Sequence, residues 1–568
     1  MNSRPRFMVL PAVLLPVVLT LGLAGETFGE TPGTEQLAAA TATYDYQADL
    51  DQAHPAGGPG AAAIVTRGGE VLFRGAAGMA DLELGVGLQP EMVFELGSLT
   101  KQFTAAAIML LADEGKLSID DKLSKFLPDY PELAADVDVE HLLTHTSGIV
   151  SYTGIPGYMQ TEIHRDLTVK ELVAVFKDRP LEFAAGERFA YSNSGYVLLG
   201  AVIEAASGQT YEEFIVERFF KPLGMQGSYY GSNSRIIPGR VRGYDGPSGQ
   251  VSHARYLSMT QPYAAGSLLS NVDDMVQWNT ALFGGKLISA ESLKKMTTPY
   301  TLNDGEQTSY GYGLAVGDVR GHPSISHGGG IFGFVTHGVY LPEEDIYVAV
   351  LSNNPGARIG PGPLAIRLAA AAAGDPFPQF RRATVGAKIL EGYVGVYRVD
   401  EQTTRTVVVE DGRLYTQRSG SAKLEAIPTS DSKFFYEGTN SWFELEPGED
   451  GGMRMKMHQN GSEDAEVAER ISTEVPEDVV AEVERAVLET YVGEFEIQPG
   501  FVLKVYLEGE ALMGQATGQP AFRLWPESET LFVIREVGAK LEFHREDDGG
   551  VDSLTLHQGG QIPAKRIR

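Results

Sequence analysis

The 568-residue sequence contains no cysteine. Disulfides, thiolate nucleophiles, cysteine-ligated zinc, iron–sulfur centres and attachment through a lipidated N-terminal cysteine are therefore excluded. The absence does not argue against export, because a long chain buries enough apolar surface to hold together without disulfides. Basic residues are also few: 46 Lys and Arg face 75 Asp and Glu, for a formal net charge of -29. Such a surface repels phosphate backbones and anionic lipid, which excludes a broad nucleic-acid-binding role. After the N-terminal region no hydrophobic run is long enough to read as a membrane span.

What is present reads as a globular chain, with 43% apolar residues and 66 glycines that follow no collagen-like period. Length alone implies about two to four domains. Arg4 and Arg6 precede an apolar run over residues 7–24, with small residues Gly22 and Ala24 or Thr27 and Gly29 at its end. This is the pattern of a signal peptide over residues 1–29, followed by a leader over 30–44, and it predicts a periplasmic or secreted protein with no stable membrane insertion after cleavage. From residue 61 the text alternates between strand-like runs around the Arg67-Gly68-Gly69 turn and helical spacing after residue 100, near 196–206 and at 272–282. Strands at both ends and helices between them predict an α/β domain over residues 45–375 with a helical insertion.

Ser98-Leu99-Thr100-Lys101 places a lysine one helical turn after a serine, on the same face. Serine is a weak nucleophile that needs such a base and the electrostatic help of a helix start. The spacing alone is unspecific: Ser292 with Lys295 and Ser430 with Lys433 satisfy it too, on what read as ordinary surfaces. Ser98 is set apart by Tyr191-Ser192-Asn193, 93 residues on and just before a helical pattern, and by His327-Gly328-Gly329-Gly330 between strand-like segments. A tyrosine can carry a proton between serine and leaving group, an asparagine can hold the lysine or a substrate amide, and glycine N–H groups can stabilise an oxyanion.

These three motifs in this order, with HLLTHTSGI at 141–149 and HGGGIFGF at 327–334, resemble the family of class C β-lactamases and D-Ala-D-Ala carboxypeptidases over about residues 45–375. The resemblance implies a three-layer α/β domain beside a mainly helical subdomain, with the site between them. It implies that Ser98 forms an acyl-enzyme, Lys101 assists its attack, Tyr191 acts as general base and acid, and Asn193 orients Lys101 and the substrate. The N–H groups of Ser98 and Gly330 would form the oxyanion hole. His327 stands where β-lactamases of the family usually carry lysine, which implies an ester, amide or D-peptide substrate ahead of a β-lactam. Gly328, Gly329, Tyr263 and Phe332 are candidate substrate contacts. No cofactor and no metal are implied. A β-lactamase, or a non-turnover sensor that binds cell-wall peptide on the same scaffold, are the alternative readings.

Other chemistry-bearing residues read as structural. His141 and His145 lack the glutamate of a zinc-binding HExxH pair, and Asp273 with Asp274 suits the first turn of a helix. Beyond a linker at 376–387 the text becomes short strands and turns. GYVGVYRV at 392–399 returns as TYVGEFEI at 490–497, and MHQNG at 457–461 as LHQGG at 556–560, offsets of 98 and 99 residues. The repeat predicts two small β-rich, barrel-like domains at 388–462 and 488–568, separated by an acidic linker at 463–487. They resemble the lipocalin-like domains attached to such hydrolases. Holding copies of the chain together as a homo-oligomer is one of their possible roles.

Overall fold

Unbroken apolar runs at 61–65 and 346–351 become two adjacent interior strands of a six-stranded antiparallel sheet. Burial on both faces of a strand removes the need for alternation, so these strands read as continuous hydrophobic text. The computed structural model describes residues 44–568 apart from 248, 402, 420, 449–450, 463, 476–480, 482, 499–500, 518–520, 536, 547–548 and 558–560. The expected signal peptide, the leader before residue 44 and the last three residues of LHQGG lie outside the described residues.

The chain enters through helix α1 (Tyr46–Ala53) and the hairpin β1 (Ala61–Arg67) and β2 (Glu70–Ala77), turned by the expected Gly68-Gly69 pair at positive φ. Helix α2 (Thr100–Asp113), α3 (Asn193–Ser207) and α4 (Val272–Phe283) follow. The sheet is completed by β3 (Ala315–Val319), β4 (His322–Ile331), β5 (Phe334–Leu341) and β6 (Ile346–Ser352), in the order β3-β4-β5-β6-β1-β2. Helix α5 (Pro361–Ala373) packs with α1 on one face of the sheet, where Leu50, Val65, Val348 and Leu368 form one core. On the other face a larger core unites α2, α3 and α4. There Phe103 stacks on Trp278 at 3.8 Å, and the indole N–H donates to Gln102 Oε1 at 2.7 Å. This is the expected three-layer arrangement with its helical subdomain.

Two expectations about elements are corrected. His327-Gly328-Gly329-Gly330 belongs to strand β4 itself rather than to a connection between strands. The first of the two C-terminal units also extends further than expected. It is a closed eight-stranded barrel, β7 (Gly395–Arg398) to β14 (Glu466–Ser472), in which the last strand pairs with the first. That last strand comes from the segment expected to be an acidic linker. Its alternation is weak because Glu466 and Glu469 sit among its apolar residues, and pairing on both sides holds it. The second barrel, β15 (Gly493–Gln498) to β22 (Gln561–Arg566), has the same eight-strand closure. A short helix precedes each barrel, α6 (Ala387–Gly392) and α7 (Arg485–Tyr491). His458 and His557 end the equivalent seventh strands, which accounts for their recurrence.

The first barrel is bound to the α/β domain through polar contacts around α5. Arg320, with a side chain only 8% exposed, donates to both carboxylate oxygens of Asp375 at 2.6 and 2.8 Å and to the Gly461 carbonyl at 2.9 Å. Arg367 donates to Asn440 and to the Thr439 carbonyl, and Asn440 Nδ2 donates back to the Pro363 carbonyl. Among the described residues no helix is long and apolar enough to cross a membrane.

Candidate active site

Gly97 opens the turn that carries the serine. Its φ of +55° suits glycine, and a Cβ there would lie 2.8 Å from the Gly330 nitrogen. The missing side chain lets β4 approach until Gly330 borders the Ser98 pocket. Ser98 lies in the short 3-10 turn Gly97–Leu99, and α2 begins at Thr100, so Lys101 falls one turn beyond the serine as its spacing predicts. Lys101 is fully buried. Its Nζ is 3.0 Å from Ser98 Oγ, 2.8 Å from Asn193 Oδ1 and 2.9 Å from the Ala265 carbonyl. Burial pushes its ammonium well below the usual lysine range.

Asn193 is the first residue of α3, whose cap is Ser192 accepting from the Gly195 N–H at 3.3 Å. Its Nδ2 donates to Thr153 Oγ1 at 3.0 Å and its backbone N–H to Ser151 Oγ at 3.1 Å, which turns Oδ1 toward Lys101. Tyr191 stands beside them, 41% exposed, with the Lys101 Nζ 4.8 Å from its ring centre. Burial of the phenol is the larger influence and raises its proton affinity above that of a free phenol, while Ser98 acts in the opposite direction. His145 fixes the segment carrying Tyr191 from below. Its Nδ1 accepts from the Ser192 N–H at 3.1 Å, its carbonyl accepts from the Ala190 N–H at 2.9 Å, and its ring lies 4.2 Å from that of Tyr191.

His327 is placed behind Tyr191, with ring centres 6.3 Å apart, rather than at the wall of the Ser98 pocket. Its Nδ1 is 2.6 Å from the Gly328 carbonyl, a contact an N–H makes, which leaves Nε2 to accept from the Tyr310 hydroxyl at 2.8 Å. Burial, with the neighbouring Lys101 adding to it, pulls its pKa down to about 3. The residue therefore offers no positive charge at neutral pH.

The structure brings together Ser98, Lys101, Tyr191, Asn193, Gly330 and Phe332, and separates three expected substrate contacts from the pocket. Tyr263 is 5% exposed and donates its hydroxyl to Glu204 at 2.7 Å; its ring fills the space that Gly200 leaves. Gly329 is a packing residue, since a Cβ there would lie 2.0 Å from the Leu96 carbonyl oxygen. Gly328 likewise faces His337 rather than the pocket. The residues read as structural are so: His141 completes a capping box with Asp138, Asp273 pairs with Arg74, and Asp274 accepts from Gly227 and Ser228. The two other Ser-x-x-Lys matches are a helix turn, with Lys295 paired to Glu291, and a hairpin turn, with Lys433 paired to Glu444. Sequence reasoning missed Ser151, Thr153, Tyr310 and the Ala265 carbonyl. Only Ser151 and Thr153 carried a signal, as the continuation of the HLLTHTSGI segment.

A serine with a buried lysine one turn on, a tyrosine at its side and a glycine strand edge opposite defines an active-site-serine hydrolase. The chain belongs to the beta-lactamase family, whose model matches residues 47–372. It is 29% identical to "Penicillin-binding protein 4*" of Bacillus subtilis (strain 168) over 71% of this chain and 94% of that protein. It is 26% identical to a D-aminopeptidase of Gluconobacter oxydans (strain 621H) over 65% of this chain and 66% of that one. Among solved structures, the octameric penicillin-binding protein homologue from Pyrococcus abyssi matches at 27% identity with a TM-score of 0.52, covering 76% of this chain and 99% of that one. The second barrel falls within a match, over residues 477–566, to a domain of unknown function, DUF3471.

Proposed function

We propose that this protein is an exported serine hydrolase that cleaves an ester or amide, of the carboxylic-ester or D-amino-acid-peptide class, through an acyl-enzyme on Ser98. The observation that carries the reading is the environment of Lys101. A neutral amine has two hydrogens and one lone pair, and Asn193 Oδ1 and the Ala265 carbonyl are two acceptors. The lone pair is then left for the Ser98 hydroxyl at 3.0 Å. Depressed proton affinity at Lys101 and raised affinity at Tyr191 divide the labour between base and acid.

In this mechanism Lys101 takes the Ser98 proton as Oγ bonds to the carbonyl carbon. The carbonyl π electrons move to oxygen, where the N–H groups of Ser98 and Gly330 receive the charge. Collapse of the tetrahedral intermediate breaks the bond to the leaving group, which takes its proton from the Tyr191 hydroxyl; the Lys101 ammonium returns a proton to Tyr191. Water then repeats the sequence on the acyl carbon and frees Ser98. This gives the lysine the base role in acylation that the family resemblance assigned to Tyr191.

The names of the relatives, a penicillin-binding protein and a D-aminopeptidase, support acyl transfer to serine. The N-terminal basic and apolar pattern supports export, which sequencing the N-terminus of the secreted mature protein would test. Labelling with a fluorophosphonate, followed by peptide mapping, tests the nucleophile. Modification at Ser98, lost in Ser98→Ala together with turnover of p-nitrophenyl esters, is the expected result; labelling elsewhere with Ser98 untouched defeats the assignment.

A further inference from the structure

The cavity at Ser98, about 290 Å3, is lined by apolar side chains such as Met159, Ile163, Leu257 and Phe332, with Thr153 and Asn193 as polar points. Among the described residues none that lines it is a carboxylate or a cation. A free ammonium seated there would lose water and gain no counterion, a costly placement. At Leu257 and Phe332 this pocket meets a second cavity of about 710 Å3.

The charges of that second cavity are matched except at one point. Glu95 holds Arg240 at 2.6 Å. Asp81 and Glu83 lie 3.6 and 3.1 Å from Arg242, and Glu83 also faces His253 at 3.1 Å. Arg255 is exposed, its guanidinium 4.3 Å over the Phe332 ring, and no ion pair joins it to a carboxylate among the described residues. An arginine stacked by one face on an aromatic ring keeps the N–H groups along its edge free, in the planar fork that fits a carboxylate. In a chain of net charge -29, a cation in no ion pair among the described residues, at the junction of two cavities, points to a ligand.

We infer, building on the acyl-enzyme reading above, that the enzyme selects substrates whose portion at Ser98 is apolar and carries no free ammonium, and that Arg255 binds a carboxylate further along the same substrate. It is a specificity residue for an anionic ester or N-acylated amide, and it separates this chain from hydrolases that need an unblocked amino terminus.

The test compares N-succinyl-, N-acetyl- and unblocked D-alanine p-nitroanilides on the full-length protein. The expected order of kcat/KM is succinyl, acetyl, unblocked, with succinyl ahead of acetyl by about fivefold, the size of one exposed charge pair. Arg255→Ala brings the succinyl-to-acetyl ratio to about one, Arg255→Glu inverts it, and Arg255→Lys keeps part of it, each mainly through KM. Melting curves confirm that the variants are folded. A preference for the unblocked substrate, or a ratio that all three variants leave intact, overturns the inference while the hydrolase reading stands. Absence of Ser98-dependent turnover on all three and on p-nitrophenyl acetate overturns the hydrolase reading, and this one with it.

Discussion

In the proposed mechanism Lys101 acts as the neutral amine. Its burial makes the neutral amine the resting form over a wider pH range than a free lysine, whose reference pKa is about 10.4. The active, unprotonated form is lost as pH falls, so kcat/KM is expected to drop on an acid limb lying below the ordinary lysine range. Lys101→Met should lower the rate of Ser98 acylation by about a thousandfold and abolish that limb, since a positioned base contributes about a hundred- to ten-thousandfold. A variant that keeps the limb would assign it to another group. His327 gives the opposite kind of expectation. With a pKa near 3 it is neutral from pH 8 to pH 5 and presents no cation to a β-lactam carboxylate. Nitrocefin and benzylpenicillin are therefore expected to turn over weakly beside the preferred ester or amide, with no rise in rate as the pH is lowered through 6. Efficient hydrolysis of either would refute this account of the residue.

Strand β4 earns its glycines unequally. The gap at Gly329 is crossed by the Thr336 hydroxyl donating to the Leu96 carbonyl at 2.7 Å, which ties β5 to the segment just before Ser98. Gly330 faces open space. Gly329→Ala should thus destabilise the protein by about 1–3 kcal/mol, the cost of overpacking, and reduce acylation. Gly330→Ala should leave the melting temperature nearly unchanged and act only on substrate entry; equal loss of stability in both would contradict the distinction. The same strand marks where sequence reading stops. Ser98, Lys101, Tyr191 and Asn193 are legible because they fall in short contiguous motifs whose order resembles a known family, and helix spacing puts Lys101 one turn after Ser98. HGGG reads as a connection because three glycines have little strand propensity of their own, and only pairing with β5 makes them a strand. The chain carries no local mark that Tyr263 would turn into the core toward Glu204, or that the Ala265 carbonyl would be the third neighbour of Lys101. Both depend on segments brought together across more than fifty residues.

Over the whole molecule, buried histidines tie stability to pH. His54 and His337 are pulled down to about 4 and His327 to about 3, all by burial first. Below about 6.5 the unfolded chain takes up protons that these folded sites refuse, so their contribution is lost as pH falls toward the folded values. Asp49, Glu95 and Asp274 have raised carboxyl pKa values and act with the opposite sign at lower pH. The difference between wild type and His54→Leu isolates one site: the slope of unfolding free energy between pH 6 and 5 should flatten by up to about 1.4 kcal/mol per unit. An unchanged slope would mean that His54 titrates normally. The tail can be divided on similar grounds. Among the described residues none from either barrel lines the Ser98 pocket, so a chain ended after β14 is expected to acylate at the full-length rate per folded molecule. Ending it at Ala373 would remove Asp375 and Gly461 from the buried Arg320 and should cost stability before chemistry. If the soluble, folded form lacking only the second barrel fails to acylate, that barrel helps assemble the site. Barrel closure has one more consequence. Where the first strand pairs with the last, the two ends of the unit emerge side by side. A gene segment encoding such a unit can be copied in tandem and the new copy spliced in without displacing its neighbours, which makes a repeat offset of 98–99 residues an easy inheritance to acquire.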